Sequence, residues 1–204
     1  MKMATANRIG ATRSDVGAAG RNGSTASVMA LVRAGFAAYE KTMFSQDIAH
    51  LAQQIVATAS ARGLMLATAE SCTGGLVSAA ITAIPGSSAV LDRGFVTYSN
   101  EAKAEMLGVS LESLSAHGAV SQAVAVAMAE GAVAHSRASV SVSVTGVAGP
   151  GGGSVDKPVG LVHFAACGPQ GVVHRVERFG DLGRDGVRLA SVRVALEILV
   201  DRLA

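Results

Sequence analysis

The sequence predicts an α/β fold, a three-layer α/β/α sandwich around a mixed, mostly parallel sheet of about five strands. Three observations carry that prediction. Stretches with helical spacing of apolar residues alternate with short apolar runs of strand length. Half of the residues are apolar, drawn mainly from Ala and Val, with Trp absent and aromatics at 3%, which suits helices packed closely on a sheet. Two late strand-like runs are joined only by Gly168-Pro169-Gln170-Gly171, a connector short enough for a hairpin, so at least one strand pair is antiparallel.

Residues 1–42 read as an appendage ahead of a domain at 43–204. Small and polar residues dominate through Ser27 without periodicity, a disorder signature. The run Val28-Met29-Ala30-Leu31-Val32 is cut short by Arg33, with no convincing cleavage site after it. Met43 stands just before the first strong helix, so the tail is expected to be an upstream extension of the true start. The net charge of +2 hides an asymmetry: six Lys/Arg face two Asp/Glu in 1–42, leaving eleven against thirteen in the rest. A slightly acidic domain with few aromatics argues against a nucleic-acid partner. No apolar run reaches the length of a membrane span, so no membrane partner is expected. Cys72 and Cys167 give neither a disulfide framework nor metal-ligand spacing, which points to a reducing cytoplasm.

The first helix opens at Ser45 as cap, with Asp47 in its first turn and Ile48, Leu51, Ala52, Ile55 and Ala59 on one face, and Gly63 ends it. Leu64 to Ala69 is a short strand, followed by the turn at Ser71 and a helix burying Leu76, Val77, Ala80, Ile81 and Ile84 up to the break at Pro85-Gly86. Arg93 to Tyr98 is the second strand, with Ser99-Asn100 capping a helix that ends at Gly108. A helical piece at 111–115 leads to Gly118, and Ser121 opens a longer helix to about Ser136. Val140, Val142 and Val144 alternate with serines in a strand ending at Thr145, and the Gly-rich run 146–154 is a loop. Strands at 159–166 and 172–179 form the hairpin, and a helix at about 184–203 buries Val187, Val194, Ala195, Ile198 and Leu199.

The chemistry is expected at Thr68-Ala69-Glu70-Ser71-Cys72-Thr73-Gly74-Gly75. A strand, a sharp Gly-bearing turn and a helix lift a small nucleophile to the carboxyl edge of a sheet. A serine hydroxyl needs a base. The five histidines read as surface or satisfied structural residues, with His117 in a connector kept as a candidate. After residue 42 there are only two lysines, Lys103 and Lys157. Lys103 follows the second strand, so if the two strands are parallel neighbours it shares the sheet edge with Ser71, where a desolvated amine could take the serine proton and Tyr98 could relay or orient it. The alternative is a solvated Lys103 paired with Glu101 or Glu105. Cys72 is a rival nucleophile by adjacency but reads as packing. The glycine run 146–153 offers stacked N–H donors suited to an anion, or is simply a turn.

Thr68 to Gly75 (TAESCTGG), Gly94 to Lys103 (GFVTYSNEAK), His117 to Ser121 (HGAVS), Gly146 to Gly153 (GVAGPGGG) and Lys157 to Gly160 (KPVG) closely resemble the CinA C-terminal domain family, whose stand-alone members include nicotinamide-nucleotide amidases. The resemblance runs from about Ser45 to the C-terminus. It implies hydrolysis of the carboxamide of nicotinamide mononucleotide (NMN) to nicotinate mononucleotide and ammonia in pyridine-nucleotide salvage, without metal or cofactor. By position it implies Ser71 as nucleophile, Lys103 as base and Tyr98 as assistant. The expected substrate contacts are Cys72, Thr73, Gly74 and Gly75 in the turn, Asn100 after the second strand, and Thr145, Gly146 and Gly149 after the third. Arg184 and Arg188 complete the set. They resemble a family Gly-Asp-Arg-x-x-x-Arg pattern, although here Leu182 and Gly183 separate Asp181 from Arg184. The large amino-terminal domain of some members has no counterpart in this sequence. A catalytically silent nucleotide-binding or regulatory member linked to competence or DNA damage is the alternative reading, and Ala-rich helical faces could pack a homodimer or higher homo-oligomer.

Overall fold

The computed structural model describes residues 43–204, so the expected extension at 1–42 lies outside the described residues. The strands are β1 (Leu66–Glu70), β2 (Leu91–Val96), β3 (Val140–Gly146), β4 (Leu161–Gly168) and β5 (Gly171–Arg178). The helices are α1 (Gln46–Arg62), α2 (Leu76–Thr82), α3 (Asn100–Leu107), α4 (Leu111–His117), α5 (Gln122–Ala134) and α6 (Gly183–Leu203). The sheet order is β2-β1-β3-β4-β5. β1 pairs parallel with β2 and β3, and β4 pairs antiparallel with β3 and β5. Four strands therefore run one way and β4 alone runs back, the mixed and mostly parallel sheet the sequence predicts.

Helices α1, α2 and α6 pack on one face, around Ile55, Ile81, Leu196 and Leu199. Helices α3, α4 and α5 cover the other, around Phe95, Leu107, Leu114 and Met128. Interior strand β1, between β2 and β3, is buried along its whole length, as a strand with helices on both faces must be. β3 meets the same demand with an alternating sequence. Its valines enter the first core, while Ser141 and Ser143 face α5 and donate to the carbonyls of Ala129 and Ala125, each at 2.6 Å. The Ala-rich face of α5 lets the backbones approach, so these buried hydroxyls find acceptors instead of costing a desolvation penalty.

Element ends differ from expectation for local reasons. Leu64 belongs to the end of α1, its N–H donating to Ala59 O past Gly63, so β1 begins two residues later. Leu91 pairs with Leu66, so β2 starts early and ends at Val96, leaving Tyr98 beyond it. Pro158 and Gly160 form a turn against Val147, which delays β4 to Leu161. Ser45 stands at the N-cap of α1 without a side-chain bond to the helix backbone; it hydrogen-bonds Asp47 and lowers that carboxyl's pKa.

Because β1, β2 and β3 run parallel, their carboxyl ends meet at one edge. That edge receives the Ser71 turn, the start of α3 and the glycine loop. β5 runs the same way and delivers the start of α6 there too.

Candidate active site

Ser71 continues β1 by donating its N–H to Val144 O at 2.9 Å, and Gly74 N–H returns to Ser71 O at 3.1 Å. Gly75, at φ 96°, makes the left-handed step into α2 that a side chain would resist. From above, Arg188 on α6 donates to Cys72 O and Thr73 O at 3.2 and 3.1 Å. From below, the Glu70 carboxylate takes the Gly75, Val77 and Ser78 N–H groups at 2.9–3.0 Å. The turn is thus held on both sides.

Ser99 caps α3 by accepting the Ala102 N–H. Side chains on a helix lean toward its N-terminus, so Lys103 in the first turn curls back over the cap. Its Nζ donates to Thr97 O at 2.7 Å, to Ser71 Oγ at 3.1 Å and to Ser99 O at 3.5 Å. Lys103 is only 1% exposed, which excludes a solvated charge paired with Glu101 or Glu105. Burial lowers its pKa from the ordinary lysine value, with Cys72 acting in the opposite sense.

Both groups open into a pocket of about 280 Å³ lined also by Cys72, Tyr98, Asn100, Ala119, Val120, Thr145, Gly146, Val147, Ala148, Gly149, Gly151, Gly152 and Arg184. Arg184 spans its mouth, donating to Gly149 O and to the Tyr98 hydroxyl, each at 2.9 Å. Tyr98 is 61% exposed and bonds Arg184, not Ser71 or Lys103. Thr145 is buried and donates to Ala119 O at 2.8 Å, fixing the pocket floor. Cys72 lines the pocket, yet burial raises its thiol pKa to about 12, so it stays neutral.

Some expected contacts lie elsewhere. Thr73, Gly74, Gly75 and Arg188 do not line the pocket; they form and brace the turn beneath it. The Gly74 and Gly75 N–H groups are already bonded, which removes two of the anticipated anion donors. His117 ends α4 and lines a separate surface cavity with Ser121 and Gln122, so it is not the base for Ser71. Two contributors escaped sequence reasoning. Glu70 lies under the turn, and Lys157 ties the glycine loop to His117 O at 2.6 Å. A carboxylate ending an otherwise apolar strand, just before a helix, was the signal for Glu70.

Comparison with known proteins gives the family. The CinA C-terminal domain family matches residues 48–203. The nicotinamide-nucleotide amidohydrolase PncC of Escherichia coli (strain K12) is 50% identical over 159 residues, covering 77% of this chain and 95% of that protein. A CinA-like protein of Anaeromyxobacter sp. (strain K) is 48% identical over 163 residues, covering 79% of this chain and 39% of that longer protein. The crystal structure of the competence/damage inducible protein CihA from Agrobacterium tumefaciens superposes with a TM-score of 0.77 at 56% identity, covering 78% of this chain and 98% of that one. With its strand order, its Ser71 turn and a match along almost all of the described residues, the chain belongs to the CinA C-terminal domain family.

Proposed function

We propose that this pocket hydrolyses the carboxamide of NMN to nicotinate mononucleotide and ammonia, with Ser71 as nucleophile and Lys103 as its base. The protein is an amidohydrolase of the nicotinamide-nucleotide type, the activity named for the Escherichia coli relative that it matches nearly end to end. The observation that carries the mechanism is the 3.1 Å contact between Lys103 Nζ and Ser71 Oγ inside a pocket.

A neutral amine has two hydrogens and one lone pair. With the hydrogens on Thr97 O and Ser99 O, the lone pair of Lys103 faces the Ser71 hydroxyl. Ser71 Oγ attacks the amide carbon while Lys103 takes its proton, and Lys103 returns that proton to the departing nitrogen. Ammonia leaves as the C–N bond breaks. Water, losing a proton to Lys103, then attacks the Ser71 ester. As the C–O bond breaks, Lys103 returns that proton to Ser71 Oγ, and the acid formed gives its own proton to solvent and leaves as the carboxylate. The Cys72 N–H, which among the described residues meets neither a backbone carbonyl nor Glu70, is the turn's donor for the oxyanion on the pocket wall. The glycine loop, Arg184, Asn100 and Thr145 surround the remainder of the nucleotide, with the Arg184 guanidinium suited to its phosphate. Tyr98 orients Arg184 in this scheme. A cytoplasmic site of action fits the two free cysteines, and among the described residues no helix is long and apolar enough to cross a membrane.

Ammonia release from NMN by the purified chain tests the reading. Ser71→Ala and Lys103→Ala are each expected to lower kcat on the order of 10³-fold while keeping the fold. An active Lys103→Ala would reassign the base, and wild-type protein that leaves NMN intact would favour a binding or regulatory member.

A further inference from the structure

Glu70 is fully buried, and among the described residues no lysine or arginine pairs with it. A lone carboxylate in such a place is expensive unless hydrogen bonds replace its hydration. Here three backbone amides and a hydroxyl pair do so. Oε2 accepts from Gly75 N at 2.9 Å and Val77 N at 3.0 Å, and Oε1 from Ser78 N at 2.9 Å. Ser78 Oγ and Thr68 Oγ1 stand 3.0 and 3.1 Å from Oε1 and 2.5 Å from each other, so one hydroxyl donates to Oε1 and the other donates to its neighbour. The first turn of α2 is therefore occupied by the chain's own anion, not left for a ligand.

We propose that Glu70 is a positioning residue: its carboxylate fixes the Ser71 turn at the reach of Lys103, a role that rests on the reading of Ser71 and Lys103 given above. The connectivity supports it. Glu70 precedes Ser71 directly, and its side chain grips Gly75 and Val77 on the far side of the turn, so residues 71–74 bridge two ends clamped by one carboxylate. The main chain of Glu70 adds a second tie. Its carbonyl accepts the Thr97 N–H at 2.8 Å, and Thr97 O in turn receives Lys103 Nζ. One residue thus links the hydroxyl's turn to the peptide that aims the amine.

The donor set also says why a carboxylate is required. Each oxygen faces at least one backbone N–H that cannot reverse. In Glu70→Gln the amide nitrogen would confront Gly75 and Val77 in one orientation and Ser78 in the other. The turn must then move, and a displacement near 1 Å at a reacting group costs about 10²-fold in rate. The opposite pocket wall, from Gly146 to Gly152 with Arg184, makes no bond to Glu70, so substrate affinity should survive.

The test compares wild type, Glu70→Gln and Glu70→Asp by circular dichroism, by kcat and KM on NMN, by binding of nicotinate mononucleotide, and by the rate at which a fluorophosphonate labels Ser71 in intact-mass spectra. Glu70→Gln is expected to lose about 10²-fold in kcat and in labelling rate, with KM and product affinity within about threefold. Glu70→Asp keeps the charge one methylene short and is expected to lose about tenfold in both rates, which serves if the glutamine variant fails to fold. A folded variant of either kind with wild-type kcat and labelling overturns the role. So does a loss that tracks only the unfolded fraction. Wild-type protein that neither reacts with the label nor hydrolyses NMN overturns the Ser71–Lys103 reading, and this role with it.

Discussion

Lys103 Nζ stands 3.1 Å from Ser71 Oγ, although 32 positions separate the residues in the chain. Two parallel strands bring them together, and the first turn of α3 aims the amine. Because burial lowers the Lys103 pKa, the neutral amine is populated at lower pH than in a free lysine. kcat/KM for NMN should therefore rise with pH through that lowered value and level off above it. Lys103→Arg, which cannot shed a proton there, should be inactive at every pH. A wild-type profile that titrates only at the ordinary lysine value of about 10.4 would remove Lys103 as the base.

The same burial predicts a stability effect of fixed sign. The folded pKa of Lys103 lies below its unfolded value, so between the two the unfolded chain binds more protons and stability rises with pH. Below that window the full penalty for a buried ammonium is present. Lys103→Met, which has no such proton, should thus melt above wild type at neutral pH and lose the advantage toward alkaline pH. Each kcal/mol gained would show as about 2–4 °C in Tm. A variant that melts lower at neutral pH would mean that the bonds to Thr97 O and Ser99 O outweigh the desolvation of the charge.

The sequence discloses the layers and the hairpin because each leaves a local trace, apolar period and glycine-bounded turns. The shared edge of Ser71 and Lys103 follows only on the condition that their strands are parallel neighbours, as β1 and β2 are. Main-chain partners leave no such trace. Glu70 is satisfied by three backbone amides, of Gly75 before α2 and of Val77 and Ser78 within it, invisible in a string of side chains. Lys103 leaves two readings open, base or surface charge, because Glu101 and Glu105 flank it, yet both glutamates face solvent while the lysine, on the opposite side of α3, turns inward. Tyr98 and Arg184 lie 86 positions apart and meet only because β5 and α6 return the chain to the same edge.

Arg184 joins the two sides of the pocket mouth, holding Gly149 O and the Tyr98 hydroxyl. Its guanidinium has five N–H donors, enough to keep both bonds and still meet a phosphate. Arg184→Ala should raise KM for NMN by about 10–100-fold, the loss of one to two charge-assisted bonds, with kcat nearly unchanged. Arg184→Lys should recover little, since a point charge cannot span both partners. A large kcat defect at constant KM would instead place Arg184 among the reacting groups.

Gly94 on β2 leaves room for the polar network beneath the turn. A Cβ there would lie 2.1 Å from Ser78 Oγ and 3.0 Å from Thr68 Oγ1. Gly94→Ala should therefore cost about 1–3 kcal/mol by overpacking. Ser78→Gly in the same chain removes the closest atom, so the double variant should be less destabilised than the sum of the two single changes. Additive losses in denaturant midpoints would show that the cost of the methyl group does not arise from its contact with Ser78.

β4 and β5 carry a second titratable pair outside the pocket lining, with His163 standing opposite the lining residue Thr145 of β3. His163 Nδ1 and His174 Nε2 lie 3.0 Å apart with the rings stacked at 5.3 Å, so one imidazole donates to the lone pair of the other. That bond needs an unprotonated acceptor. Burial is the main cause that lowers both pKa values, and for His163 the neighbouring His174 and then the positive charges of Lys157 and Arg178 add to it, bringing its value to about 4. A histidine whose folded pKa lies below the unfolded 6.5 contributes stability that is present above 6.5 and lost as pH falls toward 4. Tm should decline across that window, and His163→Phe, which keeps a ring but takes up no proton, should flatten the decline. An unchanged slope in His163→Phe would assign the acid sensitivity to other groups. Because these imidazoles are not in the pocket, kcat on NMN at neutral pH should be the same in His163→Phe as in wild type, which separates this titration from that of Lys103.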